Sequence, residues 1–101
     1  MNNVTRADVD ALRRAAHRIS GIADSYRDEY TRMYSVIHDQ LSAAWIGADS
    51  ASFQENVDSV KYKFSDMYDI MKSYSQFLYD TASKYEEQIR MMEEAARQIE
   101  F

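Results

Sequence analysis

The chain has 101 residues with no Pro, no Cys and two Gly, and it carries a net charge of −5. So few chain breakers exclude a strand-and-turn fold, and the lack of Cys excludes disulfides, thiolate metal sites and cysteine nucleophiles. At 46 % hydrophobic and 13 % aromatic residues, it is too apolar for a disordered chain, so an all-α fold in one domain over 1–101 is expected.

The first helix is expected over about 5–43. Thr5 and Asp8 have capping-box spacing, and Val4 and Val9 stand at the positions of a hydrophobic staple. Behind them Val9, Leu12, Ala16, Ile19, Ala23, Tyr26, Tyr30, Met33 and Ile37 alternate at steps of three and four. That is the heptad seam of a helix that packs on another helix. Ala15, Ile22, Tyr34 and Leu41 widen the stripe, so more than one neighbour is expected.

A bend follows at about 44–49, in the run Ala44-Trp45-Ile46-Gly47-Ala48-Asp49. Gly47 is expected to take a left-handed conformation that ends the first helix, with Asp49 or Ser50 capping the next. A connection this short makes the helices an antiparallel hairpin.

The second helix is expected over about 50–97. Phe53, Val57, Val60, Phe64, Met67, Met71, Tyr74, Leu78, Thr81 and Tyr85 continue the heptad. The row then slips to Ile89, Met92, Ala96 and Ile99, which reads as a stutter near 85–89 and a looser tail beyond Glu94. Two helices cannot cover Ile22, Tyr34, Tyr62, Tyr68, Ile70, Phe77 and Tyr79 as well as their shared seam. Pairing of two hairpins into a four-helix-bundle dimer is therefore expected from burial alone.

Chemistry-bearing constellations are scarce. His17 and His38 lie 21 positions apart on one helix, about 30 Å, too far to share an ion or substrate. The pairs Glu86-Glu87 and Glu93-Glu94 read as a solvated face with Arg90 and Arg97 at helical spacing. No cofactor, metal or catalytic residue is expected, and so no enzyme. Ten Asp and Glu against six Lys and Arg from Ser50 onward disfavour nucleic acid. The mixed-sign polar faces and short apolar runs disfavour stable membrane insertion. The opening Met-Asn-Asn-Val-Thr-Arg lacks the apolar region of a cleaved leader.

A chain of this length with two amphipathic helices and a central Trp45-Ile46-Gly47 resembles the WXG family, the small Esx-like proteins of type VII secretion. The resemblance spans the whole chain. It implies a non-enzymatic, dimeric helical protein exported without a cleaved leader, cytoplasmic before export and secreted after it, in some members with a link to virulence. It also implies recognition by a membrane-bound secretion ATPase, through the Trp-x-Gly bend of one subunit and a C-terminal Tyr-x-x-x-Asp/Glu of its partner. Trp45 and Gly47 match the first half. The second half is met only in degenerate form by Tyr85, Ile89 and Glu93, because Ile89 stands where the acidic residue belongs. The resemblance leaves two partners open. One is a second copy of the chain. The other is a related hairpin, or the helical N-terminal domain of a larger effector that this chain would target for export.

Overall fold

A computed structural model describes residues 4–99 of the chain. Its elements are α1 (Arg6–Ser35), a π-helical stretch (Val36–Leu41), α2 (Ser42–Ala44), α3 (Ala48–Ser59) and α4 (Lys61–Gln98). Among the described residues there is no strand. The chain divides into two compact units. One holds the residues up to Ser20 and from Lys72 onward, and the other holds Gly21–Met71.

In the first unit the start of α1 is fixed by a reciprocal cap. The Asp8 carboxylate accepts from the Thr5 backbone N–H at 2.9 Å, and the Asp8 N–H donates to the Thr5 hydroxyl at 3.2 Å. Val9, Ala16 and Ala82 are buried, and Leu12, Ile19, Leu78, Tyr85 and Ile89 are half-buried around them. The two helices approach closely enough for the Ser75 hydroxyl to donate to the Ala16 carbonyl at 2.6 Å. Lys72 reaches the Ser20 hydroxyl at 2.7 Å.

Two ion pairs tie α1 to the end of α4 in this unit. Arg13 grips Glu86 with both terminal nitrogens, at 3.0 and 2.9 Å, and Arg6 meets Glu93 at 2.7 Å. Arg90 takes Glu87 and Glu94. The four glutamates are exposed, as expected of a solvated face with Arg90 as helical partner, but Glu86 and Glu93 also reach across to α1. The tail is not frayed, since α4 stays helical to Gln98, but its described residues beyond Ile89 are all exposed, in line with the looser packing expected there; residues 100–101 lie outside the described residues.

Hydrogen bonding to Arg13, helped by its charge, holds the Glu86 carboxyl below the usual glutamate range. A depressed carboxyl contributes stability above its unfolded pKa and loses it as pH falls through the lower, folded value. Melting temperature should therefore drop as pH is lowered below about 4.3. Arg13→Gln should flatten that slope, which a pH series of thermal melts followed by circular dichroism would read.

In the second unit Ala23, Tyr34 and Ser50 are buried, and Tyr26, Tyr30, Ile37, Leu41, Val57, Phe64, Tyr68 and Met71 are half-buried. Phe64 sits among three tyrosines, with ring centroids 6.4 Å from Tyr26, 5.7 Å from Tyr30 and 6.0 Å from Tyr34. Arg27 lies over the Tyr68 ring at 4.7 Å, and Tyr68 in turn donates to Asp24 at 3.2 Å.

The buried row of the second helix differs from the expected one. Phe64, Met71, Leu78 and Tyr85 are kept, but Tyr68 and Ser75 alternate with them in place of Met67 and Tyr74, and the buried Ala82 takes the centre of the row beside a half-buried Thr81. This row passes through Tyr85 to Ile89 in unbroken steps of four and three, so there is no stutter there. Small residues at 75 and 82 let the helix backbones come close, and a row chosen by size alone overlooks them. The irregular step lies in α1 instead, where Tyr34 and not Met33 follows Tyr30 into the core.

The second helix is also interrupted. α3 ends at Ser59, and Val60 carries φ −106° and ψ 3° before α4 begins. The Tyr34 hydroxyl donates to the Val57 carbonyl at 2.7 Å, and the Ser59 hydroxyl takes the Asn56 carbonyl at the same distance. Side chains that occupy the helical ladder in this way are a recognised cause of breaks.

Candidate functional site

Trp45, Ile46 and Gly47 are the whole connection between α2 and α3. Trp45 leaves the helix in an extended conformation, φ −123° and ψ 105°, after its N–H has donated to the Leu41 carbonyl at 2.8 Å. Gly47 has φ 132° and ψ −179°, a region that only glycine occupies without strain. It therefore reverses the chain, but not through the left-handed helical conformation expected. A Cβ at this position would meet nothing within 4 Å, so the requirement for glycine comes from the backbone angle and not from space.

Gly47, not Asp49 or Ser50, is also the N-cap of α3. The helix starts two residues earlier than expected, because the Ala51 N–H already finds the Gly47 carbonyl at 3.1 Å. Asp49 falls in the first turn, where a carboxylate favours the positive helix end. Ser50 is buried and accepts from the Gln54 side chain at 3.3 Å.

The bend presents two different apolar groups. The Trp45 indole lies against Phe53 of α3, with centroids 5.7 Å apart and planes at 47°, and remains 39 % exposed. Ile46 is 86 % exposed, so it covers nothing within the chain. Trp45 thus braces the turn while part of its indole stays open. Phe53, read from spacing as a seam residue, acts as the bracket for that indole.

Tyr85, Ile89 and Glu93 share the face of α4 that meets α1 in the first unit. Tyr85 and Ile89 are half-buried, and Glu93 is held by Arg6. They belong to a different unit from Trp45 and Gly47. Of the residues expected to pack, Met33, Phe53, Val60, Met67 and Tyr74 are open in a single copy.

His38, too far from His17 to share a ligand with it, is half-buried and has partners of its own. Its Nε2 stands 2.6 Å from Asp58 of α3, and its ring stacks on Tyr34 at 6.2 Å and 19°. Lys61 lies over the same tyrosine, 5.1 Å from the Tyr34 centroid. Tyr34 and His38 are one helical turn apart, but no spacing rule links them to positions 57, 58 and 61, so this cluster was invisible before the helices were folded back. Among the described residues no group of three His, Asp or Glu could hold a metal ion, and no helix is long and apolar enough to cross a membrane.

No curated protein and no solved structure matches the chain. The family model described as proteins of 100 residues with WXG matches residues 5–88, from the cap of α1 to the shared seam of α4. With two long helices, a Trp-x-Gly connection between them and that match, the chain belongs to the WXG family of small helical proteins associated with type VII secretion.

Proposed function

We propose that this protein is a non-enzymatic substrate of a type VII secretion system that travels as a homodimer of hairpins, with Trp45 and Gly47 recognised by the secretion ATPase. The observation that carries the dimer is the apolar surface left open on α4. Met67 and Ile70 are 46 % and 44 % exposed in the second unit, and Tyr74 and Phe77 are 61 % and 68 % exposed in the first. Met67 and Ile70 stand three positions apart in the second unit, as Tyr74 and Phe77 do in the first, so each unit keeps an open apolar pair beside the row it uses internally.

Covering each such side chain is worth about 1.5–3 kcal/mol. These four are already about half covered, so burying the remainder in both copies returns roughly half of that per side chain, a total of the same order as an association cost of about 4–15 kcal/mol. Among the described residues no large side chain is completely buried, so one hairpin does not close a core by itself. A second copy supplies the missing layer.

Light scattering on a gel-filtration column should return a mass near twice 11.8 kDa that persists on dilution. Ile70→Glu with Phe77→Glu should give a monomer of undiminished helicity. A wild-type monomer that enters a mixed complex with another hairpin would replace the homodimer reading by that of a targeting partner. For recognition, Trp45→Ala should leave the mass unchanged and abolish appearance in the medium of a competent host. Normal export of that variant would remove Trp45 from the signal.

A further inference from the structure

We infer that the π-helical stretch Val36–Leu41 is a positioning element for Trp45: it holds one residue in excess of the α register, and that residue sets the direction in which the indole leaves the helix. Any consequence for export rests on the reading of Trp45 as the recognised residue.

The backbone shows where the register changes. The Ser42 N–H donates to the Ile37 carbonyl, five residues back, whereas the Trp45 N–H donates to the Leu41 carbonyl, four residues back. The wide turns are thus closed before the bend is reached. π turns persist where local bonds compensate for their poorer geometry, and they concentrate at functional positions. Here the Ser42 hydroxyl donates to the His38 carbonyl, the Ser35 hydroxyl donates to Asp39 at 2.8 Å, and His38 is tied to Asp58 of α3. Tyr34, immediately upstream, is locked by its bond to the Val57 carbonyl.

From that locked position the rotation can be followed. Eleven residues of α-helix turn about 20° beyond three full turns. A regular helix would therefore bring Trp45 round to the buried line of Tyr34. One residue in excess sets the chain back by about 100°, which leaves Trp45 about 80° short of that line. An edge position of that kind accords with its indole, which is half open and leans on Phe53 of α3. Without the wide turns the indole would fill the hairpin end and present no face to another molecule.

The test removes the excess residue. Gln40 is exposed, and deleting it should convert the stretch to ordinary α-helix while Trp45 stays where it is. Trp45 is the only tryptophan, so acrylamide quenching of its fluorescence reads its position directly. The deletion variant should keep its helicity by circular dichroism and its quenching constant. Phe53→Ala should raise quenching about twofold in both the parent and the deletion background, as the indole loses its aromatic cover.

If the deletion unfolds the chain, or if quenching changes and no longer responds to Phe53→Ala, position 40 is not in excess and the inference is overturned. Export of the deletion variant separates the two readings. Unchanged quenching with normal export upholds both. Unchanged quenching with lost export upholds the positioning of Trp45 and counts against Trp45 as a sufficient bend signal.

Discussion

Tyr34→Ala should destabilise the protein by about 3 kcal/mol or more, a cost typical of deleting a buried aromatic ring. Tyr34 is 4 % exposed, meets Phe64 edge-on, stacks on His38 and lies under Lys61. Its hydroxyl also satisfies the carbonyl at the break between α3 and α4. For a chain of this size the loss corresponds to a fall in melting temperature of roughly 12 °C or more, measured at fixed protein concentration. Tyr34→Phe separates the two roles of the side chain. It keeps the ring and removes only the hydrogen bond, at a cost of about 1–3 kcal/mol for a part-buried carbonyl left unpaired.

The same residue predicts a loss of stability in alkali. Burial, with a smaller contribution from the Asp58 charge, pushes the Tyr34 phenol above its ordinary value near 10. A raised folded pKa means that the folded chain holds the proton where the unfolded chain releases it. That stabilisation is complete below the unfolded value and is lost as pH rises through the folded one. Thermal melts above pH 10 should therefore decline less steeply for Tyr34→Phe than for the parent.

Ala82→Leu is expected to be the second severe change, for the opposite reason. Ala82 has no exposed surface, and Ala16 across the same unit is 2 % exposed. The 2.6 Å bond from Ser75 to the Ala16 carbonyl shows how near the helices come there. Three extra carbons can be admitted only by moving the helices apart, at about 1–3 kcal/mol, with the Ser75 bond strained or lost as well. Ala82→Ser, close to the original volume, should cost less than Ala82→Leu, because its hydroxyl can donate to the helix carbonyl four residues back. Chemical denaturation of the parent and both variants, at one concentration, would read both outcomes. An Ala82→Leu variant as stable as the parent would show that this contact is looser than the hydrogen bond implies.

These two sites show how far the sequence could be read. Periodicity alone identified two amphipathic helices around a Trp-x-Gly connection, because a helix must place its apolar residues every three or four positions to bury them. The Thr5–Asp8 cap was legible too, since both partners lie within one turn of each other. Ala82 and Ser75 were not. A row chosen by hydrophobic size favours Tyr74, which is exposed, whereas the chain covers its small neighbour Ser75 and buries Ala82 beside Thr81, because small residues permit close approach. The same preference for size placed a stutter at 85–89 that the true row does not contain.

At the bend, Trp45 and Gly47 were singled out correctly as the connection, and glycine was required there. The bracket of Trp45 by Phe53, the cluster of Tyr34, His38, Asp58 and Lys61, and the π-helical turns were beyond reach. Each depends on which residues of α3 and α4 come to lie against the first helix, a relation between distant positions that no local spacing encodes. The sequence by itself thus determined the all-α class, the hairpin pattern and the position of the bend, all consequences of residue type within a few turns of helix. Only the tertiary structure decided which face of each helix is buried, where the helical ladder breaks and how Trp45 is aimed, because those follow from the distance and register between elements.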